Sequence, residues 1–451
     1  LRDLTKGPIT KSIIAFALPM LLGNVLQQLY NTVDAVIVGR TLGEVGLAAV
    51  GTSFPVMFLL ISLIMGLGMG ANVLISQFFG AKDNASLQRT VGTMYTALLV
   101  GGILLSLVGL AASAPVLRLM NTPPEVFPGA VSYLRVIFIG LVGMFGYNGV
   151  AALLRGVGDS KTPLYFLILS SFLNIGLDIL FIVTFQMGVA GAAWATIASQ
   201  FIAFLATAVY LNKKHPILKV SWKVLCFDRA IFKRIVAIGL PAGIQQVAMS
   251  LGLIALQSVV NSFGAVTAAA YTAGTRVDTY GIMPLMVLGA AFTTFVGQNY
   301  GANREDRIRR GLKSIMAASA LISIFFFAVA WLFGESIVGL FNTNPEVIAQ
   351  GVNFLRIQSS FYLVVAILHA FFGLFRGTGD TLVPMIIAVV SLWLIQVPAA
   401  VILSGYIGVA GVWWSRPLGW LVGVAAVLLY YRSNRWRRNL APPLVREVEI
   451  G

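Results

Sequence analysis

The sequence predicts an all-α integral membrane protein with twelve transmembrane helices. They form two six-helix lobes related by a pseudo-two-fold axis along the membrane normal. Three observations carry this expectation. The 451 residues are 58% hydrophobic and only 10% charged, with a mean hydropathy of +0.89, too apolar for a soluble chain of this length. Apolar stretches near the ~20 residues that a spanning helix needs recur along the chain. The chain also repeats itself. Arg155-Gly156-Val157-Gly158-Asp159 returns 221 residues later as Arg376-Gly377-Thr378-Gly379-Asp380. At the same offset Gln77 and Gly80 return as Gln298 and Gly301, and Pro124-Glu125-Val126 as Pro345-Glu346-Val347. Gly188-Val189-Ala190-Gly191 returns as Gly408-Val409-Ala410-Gly411, one residue out of step. A duplicated hydrophobic chain suggests a transporter.

In chain order, a short polar segment leads into spans expected at 12–39, 46–78, 91–117, 129–153, 164–186 and 188–211, with no cleavable signal peptide expected. A basic linker, 212–233, follows and carries Lys213, Lys214, Lys219, Lys223 and Arg229. Spans of the second half are expected at 234–262, 265–297, 314–341, 351–375, 383–404 and 408–431. The domains read as an N-lobe (1–211), the linker, a C-lobe (234–431) and a C-terminal tail (432–451). The single cysteine, Cys226, excludes an internal disulfide and lacks partners for a metal centre.

Positive charge orients these spans. Of 31 Lys and Arg, 25 fall in the termini, the linker and the loops of one side. Four lie at the opposite ends (Arg40, Arg118, Arg135, Arg356) and two within spans (Arg276, Arg416). By the positive-inside rule both termini are expected in the cytoplasm of a bacterial cell, with the chain crossing the inner membrane many times. The net charge of +15 then serves topology and anionic lipid, and no nucleic-acid partner is expected. Six spans per half give the two halves the same orientation.

Of 16 Asp and Glu, three lie deep in spans: Asp34, Asp178 and Asp278. A charge at the bilayer centre costs at least ~2.5–3.5 kcal/mol on insertion scales, so each is a functional candidate. Gln27, Tyr30, Asn31 and Asp34 fall at i, i+3, i+4 and i+7, one polar stripe on an apolar helix. Pro19, earlier in that helix, removes a backbone hydrogen bond and is a candidate hinge. Asn174 and Asp178 share a face of the fifth span at i, i+4. Asn148 and Thr196 lie at comparable depth in the fourth and sixth. At the repeat offset Asp34 becomes Ala255, or Leu256 with the one-residue slip. Asn174 becomes Ile395 and Asp178 becomes Ala399. The fold stands without these acids in one half, which favours a cation or proton site confined to the N-lobe. Asp278 corresponds to Met57. It either pairs with another helix or contributes a second site, since Arg276 at i−2 is on the wrong side to partner it.

Other features carry less. His369 is a lone histidine in an apolar helix, the counterpart of Asn148. Gly66 and Gly70 have the spacing that lets helices approach closely. Met57, Met65 and Met69 suit either an adaptable cavity or plain packing. The repeated Arg-Gly-x-Gly-Asp loops read as structural or gating brackets in which Arg and Asp can pair.

These residues bring the whole chain to a family. It resembles the multidrug and toxic compound extrusion (MATE) transporters, and among them the DinF type more than the NorM type. Pro19, Gln27, Tyr30 and Asp34 match the bent first helix of DinF-type members. Asn174, Asp178 and Thr196 match their N-lobe polar network. The resemblance implies that Asp34 is the central coupling acid and Asp178 its network partner, with Asn148 lining the same cavity. NorM-type members use a carboxylate in the seventh helix. Here that helix offers Gln245, Gln246, Gln257 and Asn261 but no acid.

The expected activity is antiport of organic cations or amphipathic drugs against H⁺, or Na⁺, by rocking of the two lobes. Coupling would fall to Asp34, Asp178, Asn174 and Thr196, and Asp34 and Asp178 would be the ligands were the ion Na⁺. The substrate cavity would draw on Gln27, Tyr30, Asn31, Asn148, Asp278 and the three methionines. No cofactor beyond the coupling ion is expected. The partners are small molecules and the bilayer, and a monomer is expected. A flippase for lipid-linked precursors is the alternative transport reading, disfavoured by three deep acids against two arginines. A membrane-embedded enzyme would need His-Glu-x-x-His or Asp-rich motifs, and neither is present.

Overall fold

The computed structural model describes residues 2–220 and 225–436. Lys223 and residues 437–451 of the expected C-terminal tail lie outside them. Among the described residues the regular structure is helical throughout. The first helix, α1 (Ile9–Ala81), has 73 residues. At 1.5 Å per residue it would run ~110 Å, over three times the ~30 Å hydrocarbon core, so it holds two spans. They part at Gly43, whose φ of 67° and ψ of −163° leave the helical region. The next spans are α2 (Asn84–Leu119), the pair α3 (Phe127–Ile139) and α4 (Leu141–Gly156), α5 (Lys161–Asp178) with the π-helical stretch Ile179–Thr184, and α6 (Gly188–Lys214). The second half repeats the plan with α7 (Arg229–Asn261), α8 (Ala265–Gly301), α9 (Glu305–Gly339), and the pair α10 (Pro345–Ser360) and α11 (Tyr362–Gly377). Its eleventh span joins α12 (Leu382–Val390), a π-helical stretch Ser391–Gln396 and α13 (Val397–Ile407), and α14 (Val409–Arg432) closes it. Counting each bent pair once and α1 twice gives the twelve expected spans.

Two spans that read as continuous are broken. α3 meets α4 at 56° and α10 meets α11 at 49°. The first break falls at Gly140, where a Cβ would overlap the side chain of Ile197, so the backbone there sits directly on α6. Periodicity did not reveal these bends because each half-span keeps its apolar face.

The duplication is written into the backbone as well. Gly43 and Gly264 both have positive φ, as do Lys82 and Asn303, and Gly158 and Gly379, every pair 221 residues apart. Gly188 (φ 61°) and Gly408 (φ 62°) follow at 220. Three of these four pairs are glycines, which enter positive φ without a Cβ penalty. In the Arg-Gly-x-Gly-Asp loops Asp159 caps α5. Its Oδ1 accepts from the backbone N–H of Lys161 at 3.1 Å and of Thr162 at 3.0 Å, and its Oδ2 from the Thr162 hydroxyl at 2.7 Å. Asp380 accepts from the Val383 N–H at 3.4 Å and from the Tyr430 hydroxyl. Arg376 turns inward and donates to Gln245 Oε1 at 2.7 Å. The acids therefore cap helices, and the expected pairing of Arg with Asp is replaced by these bonds.

The chain divides into two compact units, at prolines and not at the linker. One unit holds Leu18–Leu240, and the other holds Asp3–Ala17 and the chain from Pro241 onward. The breaks fall beside Pro19 and Pro241, each inside a helix. The first turns of α1 thus belong with the second half, and the first turns of α7 with the first half. In the first unit Ile231, Ile235 and Ile238 of α7 bury against Val73 and Leu74 of α1. Gly70 and Gly239 allow this crossing: a Cβ on Gly70 would overlap the Ile235 carbonyl, and one on Gly239 the Gly66 carbonyl. In the second unit Leu4 is fully buried. Its N–H donates to Gln298 Oε1 at 2.9 Å, and its carbonyl accepts from Asn299 Nδ2 and Arg307 Nη2, each at 3.2 Å.

Candidate cation-coupling site

The polar side chains of the first unit converge from α1, α3, α5 and α6. Asp34 on α1 and Asp178 at the end of α5 face each other with their carboxyls within hydrogen-bonding reach. Asp178 is fully buried and Asn174, one turn before it, is 1% exposed. With its amide turned so that both ends find partners, Asn174 donates to Asp178 Oδ2 at 2.9 Å and accepts from the Thr196 backbone N–H at 3.3 Å. The Thr196 hydroxyl donates to the Ala192 carbonyl at 3.0 Å, which leaves its oxygen free to accept from the Tyr30 hydroxyl beside it. Tyr133 on α3 is buried close to Tyr30, Asp34 and Asp178. All four residues expected to couple therefore meet, with Tyr30 in contact.

One oxygen of each carboxyl, Asp34 Oδ1 and Asp178 Oδ1, is buried without a donor. No buried side-chain polar atom of Tyr30, Tyr133, Asn174 or Thr196 lacks a partner, so the unmet valence of the cluster falls on the acid pair. The π-helical stretch begins at the residue after Asp178, a local departure that often accompanies functional positions.

Beside the cluster lies a small polar cavity of about 40 Å³, room for water. Gln27, Tyr30 and Asn148, all expected as cavity residues, line it with Tyr147, Ser170 and Gln200. Gln200 Oε1 is buried without a donor. Ser170, Tyr133 and Gln200 were not singled out from the sequence, yet two of them carried a signal. Ser170, Asn174 and Asp178 form an i, i+4, i+8 stripe on α5, and Gln200 follows Thr196 by one turn on α6.

Other expected cavity residues sit elsewhere. Asn31 lies on an exposed face of α1. Met57 packs into apolar clusters with Val38, Ala192 and Ile197, and Met69 packs against the α7 isoleucines. Both are partly buried against apolar clusters, that of Met57 including the Tyr133 ring and that of Met69 including Phe78. Met65 is 61% exposed. Asp278 belongs to the second unit, 3% exposed, and pairs with another helix: Arg416 Nη1 stands 3.0 Å from its Oδ2. The Tyr362 hydroxyl donates to its Oδ1 at 2.9 Å. His369 on α11 packs edge-on against Phe372. Among the described residues no cluster of three or more His, Cys, Asp or Glu forms a metal site.

The MatE family model matches the chain twice, over residues 19–180 and 241–402. The two matches begin at Pro19 and Pro241, where the compact units also part. The probable multidrug resistance protein YoeA of Bacillus subtilis (strain 168) is 35% identical over 98% of this chain and 97% of its own. The probable multidrug resistance protein NorM of Thermotoga maritima is 28% identical over 98% and 96%. Among solved structures, an outward-facing multidrug resistance MATE family transporter of the MOP superfamily is similar with a TM-score of 0.89 at 28% identity, over 97% of this chain and 98% of that one. A MATE structure in a bent conformation is similar with a TM-score of 0.89 at 29% identity, over 97% of each. With both halves matched and a relative above 30% identity along nearly its whole length, the chain belongs to the MatE family, the multidrug and toxic compound extrusion proteins.

Proposed function

We propose that the protein is a multidrug efflux antiporter of the bacterial inner membrane, expelling organic cations and amphipathic drugs in exchange for H⁺. The observation that carries this reading is the pair of facing carboxyls, Asp34 and Asp178, each with one buried oxygen lacking a donor. Two carboxyls in contact in apolar surroundings hold a proton or an external cation between them. A proton is the smaller requirement, because one shared between two buried carboxyls relieves their mutual repulsion without any further ligand.

The proposed cycle follows from this geometry. Without its proton the pair carries negative charge that a cationic drug favours. A proton arriving from outside is shared by the two carboxyls, removes one of their negative charges, alters the Tyr30 and Asn174 contacts, and releases the drug. Backbone dihedrals remain helical through Pro19, and the bond that Pro19 lacks makes it the place where α1 can bend. Where the exchange carries one net charge inward, as with one proton for a neutral drug or two for a monovalent cationic one, 100 mV supplies ~2.3 kcal/mol, enough for roughly a fifty-fold drug gradient before any pH difference. The excess of Lys and Arg supports cytoplasmic termini. The relatives' names support drugs as cargo, and family membership points to transport in place of catalysis.

The test is drug resistance in a host lacking its own exporters. Asp34→Asn and Asp178→Asn should each abolish resistance while leaving the protein in the membrane with an unchanged elution profile. Full resistance in Asp34→Asn would remove the role assigned to the pair.

A further inference from the structure

The counterparts of the acid pair in the second unit are apolar (Ala255 or Leu256, and Ala399), but charge and aromatic rings stand at other positions of the repeat. With the 221 and 220 offsets of the repeat, Met57 becomes Asp278, Tyr133 becomes Phe354, Thr196 becomes Arg416 and Gln200 becomes Trp420. These four counterparts are in contact. Arg416 Nη1 lies 3.0 Å from Asp278 Oδ2, and its guanidinium carbon stands 5.7 Å from the Phe354 ring centre and 5.2 Å from that of Trp420. The Tyr362 hydroxyl holds the other carboxylate oxygen at 2.9 Å. Tyr362 opens α11 at the 49° break with α10. Tyr271, Phe354 and Trp413 close the floor with mutual ring contacts of 5.1–5.6 Å.

A carboxylate, a hydroxyl and two aromatic faces around one planar cation are the elements of an organic-cation site. We infer that the second unit contains such a site, occupied in cis by the Arg416 guanidinium. It takes the position that corresponds to the polar cluster of the first unit. The tethered cation gives Asp278 a fixed counter-charge, so the second unit exchanges no ion. Emptied of the Arg416 side chain, the site accepts a free small organic cation of the guanidinium class. The statement about ion exchange rests on the coupling role proposed for Asp34 and Asp178. The site itself does not.

The experiment measures thermal unfolding of purified Arg416→Ala, titrated with guanidinium chloride at millimolar, non-denaturing concentrations and with NaCl at matched ionic strength. The variant leaves Asp278 buried without a counter-charge, so it should melt below wild type. Guanidinium should recover at least half of the lost melting temperature with saturation, and NaCl should not. Arg416→Ala combined with Asp278→Asn should melt above Arg416→Ala alone and show no guanidinium response. Equal effects of guanidinium and NaCl, or a guanidinium response that survives Asp278→Asn, would overturn the inference. Should Arg416→Ala fail to accumulate in the membrane, recovery by Asp278→Asn supports the pair and absence of recovery overturns it. The readout is stability. An Asp34→Asn variant that still confers resistance would refute the coupling proposal and leave this result standing.

Discussion

Two glycine substitutions in the first unit should have opposite signs, one at the crossing of α1 and α7 and one inside α2. Gly70 lies where α1 touches α7 backbone to backbone. A Cβ there would overlap the Ile235 carbonyl and approach the Gly239 nitrogen to 3.1 Å. Neither obstacle is the end of a flexible side chain, so accommodation requires the helices to part. Overpacking of this kind costs ~1–3 kcal/mol, and backbone against backbone belongs at the upper end. Gly101, inside α2, has nothing within 4 Å of its added Cβ. The same change there gains the helix-interior preference of Ala over Gly, ~0.5–1 kcal/mol. The two variants should therefore differ by ~3–4 kcal/mol. At ~2–4 °C per kcal/mol, the scale for soluble domains of 150–250 residues, their melting points should part by roughly 6–16 °C. Thermal unfolding of the purified proteins, followed by size-exclusion chromatography after heating, makes the comparison. Gly70→Ala should melt below wild type and Gly101→Ala at or slightly above it. If Gly70→Ala melts with Gly101→Ala, the close crossing is not what Gly70 provides.

Further expectations concern the caps and the topology. Asp159→Ala removes three hydrogen bonds at the start of α5 and should cost ~1 kcal/mol, in the range for lost N-caps, measured as a lower melting point. Asp83 caps α2 through the Ser86 N–H at 3.0 Å. Partial burial pushes its carboxyl up, but the Ser86 bonds outweigh that and hold it below the usual carboxylate range. A depressed acid contributes stability above its unfolded value and loses it as pH falls through the folded one. The contribution should therefore fade only below about pH 4, and Asp83→Asn should flatten the melting profile there. Cys226 is exposed and free in the linker expected to be cytoplasmic. A membrane-impermeant maleimide should label it in everted vesicles and spare it in intact cells, and the reverse pattern would invert the proposed orientation.

Much of this architecture can be read from residue order because its signals are local. Apolar length marks the spans, and the repeated Arg-Gly-x-Gly-Asp loops mark the duplication that the positive-φ residues confirm. The Asp34 stripe and the Asn174–Asp178 spacing mark the faces that meet. What escaped depends on distant partners. Arg416 lies 138 residues beyond Asp278, and periodicity tells which face is buried but not against which helix. The exchange of the first turns of α1 and α7 between units likewise leaves no local mark except Pro19 and Pro241. The methionines show the same limit from the other side. Met57 and Met69 fit a cavity by composition, yet they pack against apolar clusters in which Ala192, Ile197 and the α7 isoleucines are among their neighbours.

The claim that cation coupling runs through Asp34 and Asp178 is tested most directly by drug uptake. A fluorescent organic cation is offered to everted vesicles carrying the protein, with a pH gradient or a Na⁺ gradient imposed separately. The account predicts uptake driven by the pH gradient alone and abolished in Asp34→Asn. Uptake that needs Na⁺ would contradict the proton assignment, and uptake that persists in Asp34→Asn would contradict the site.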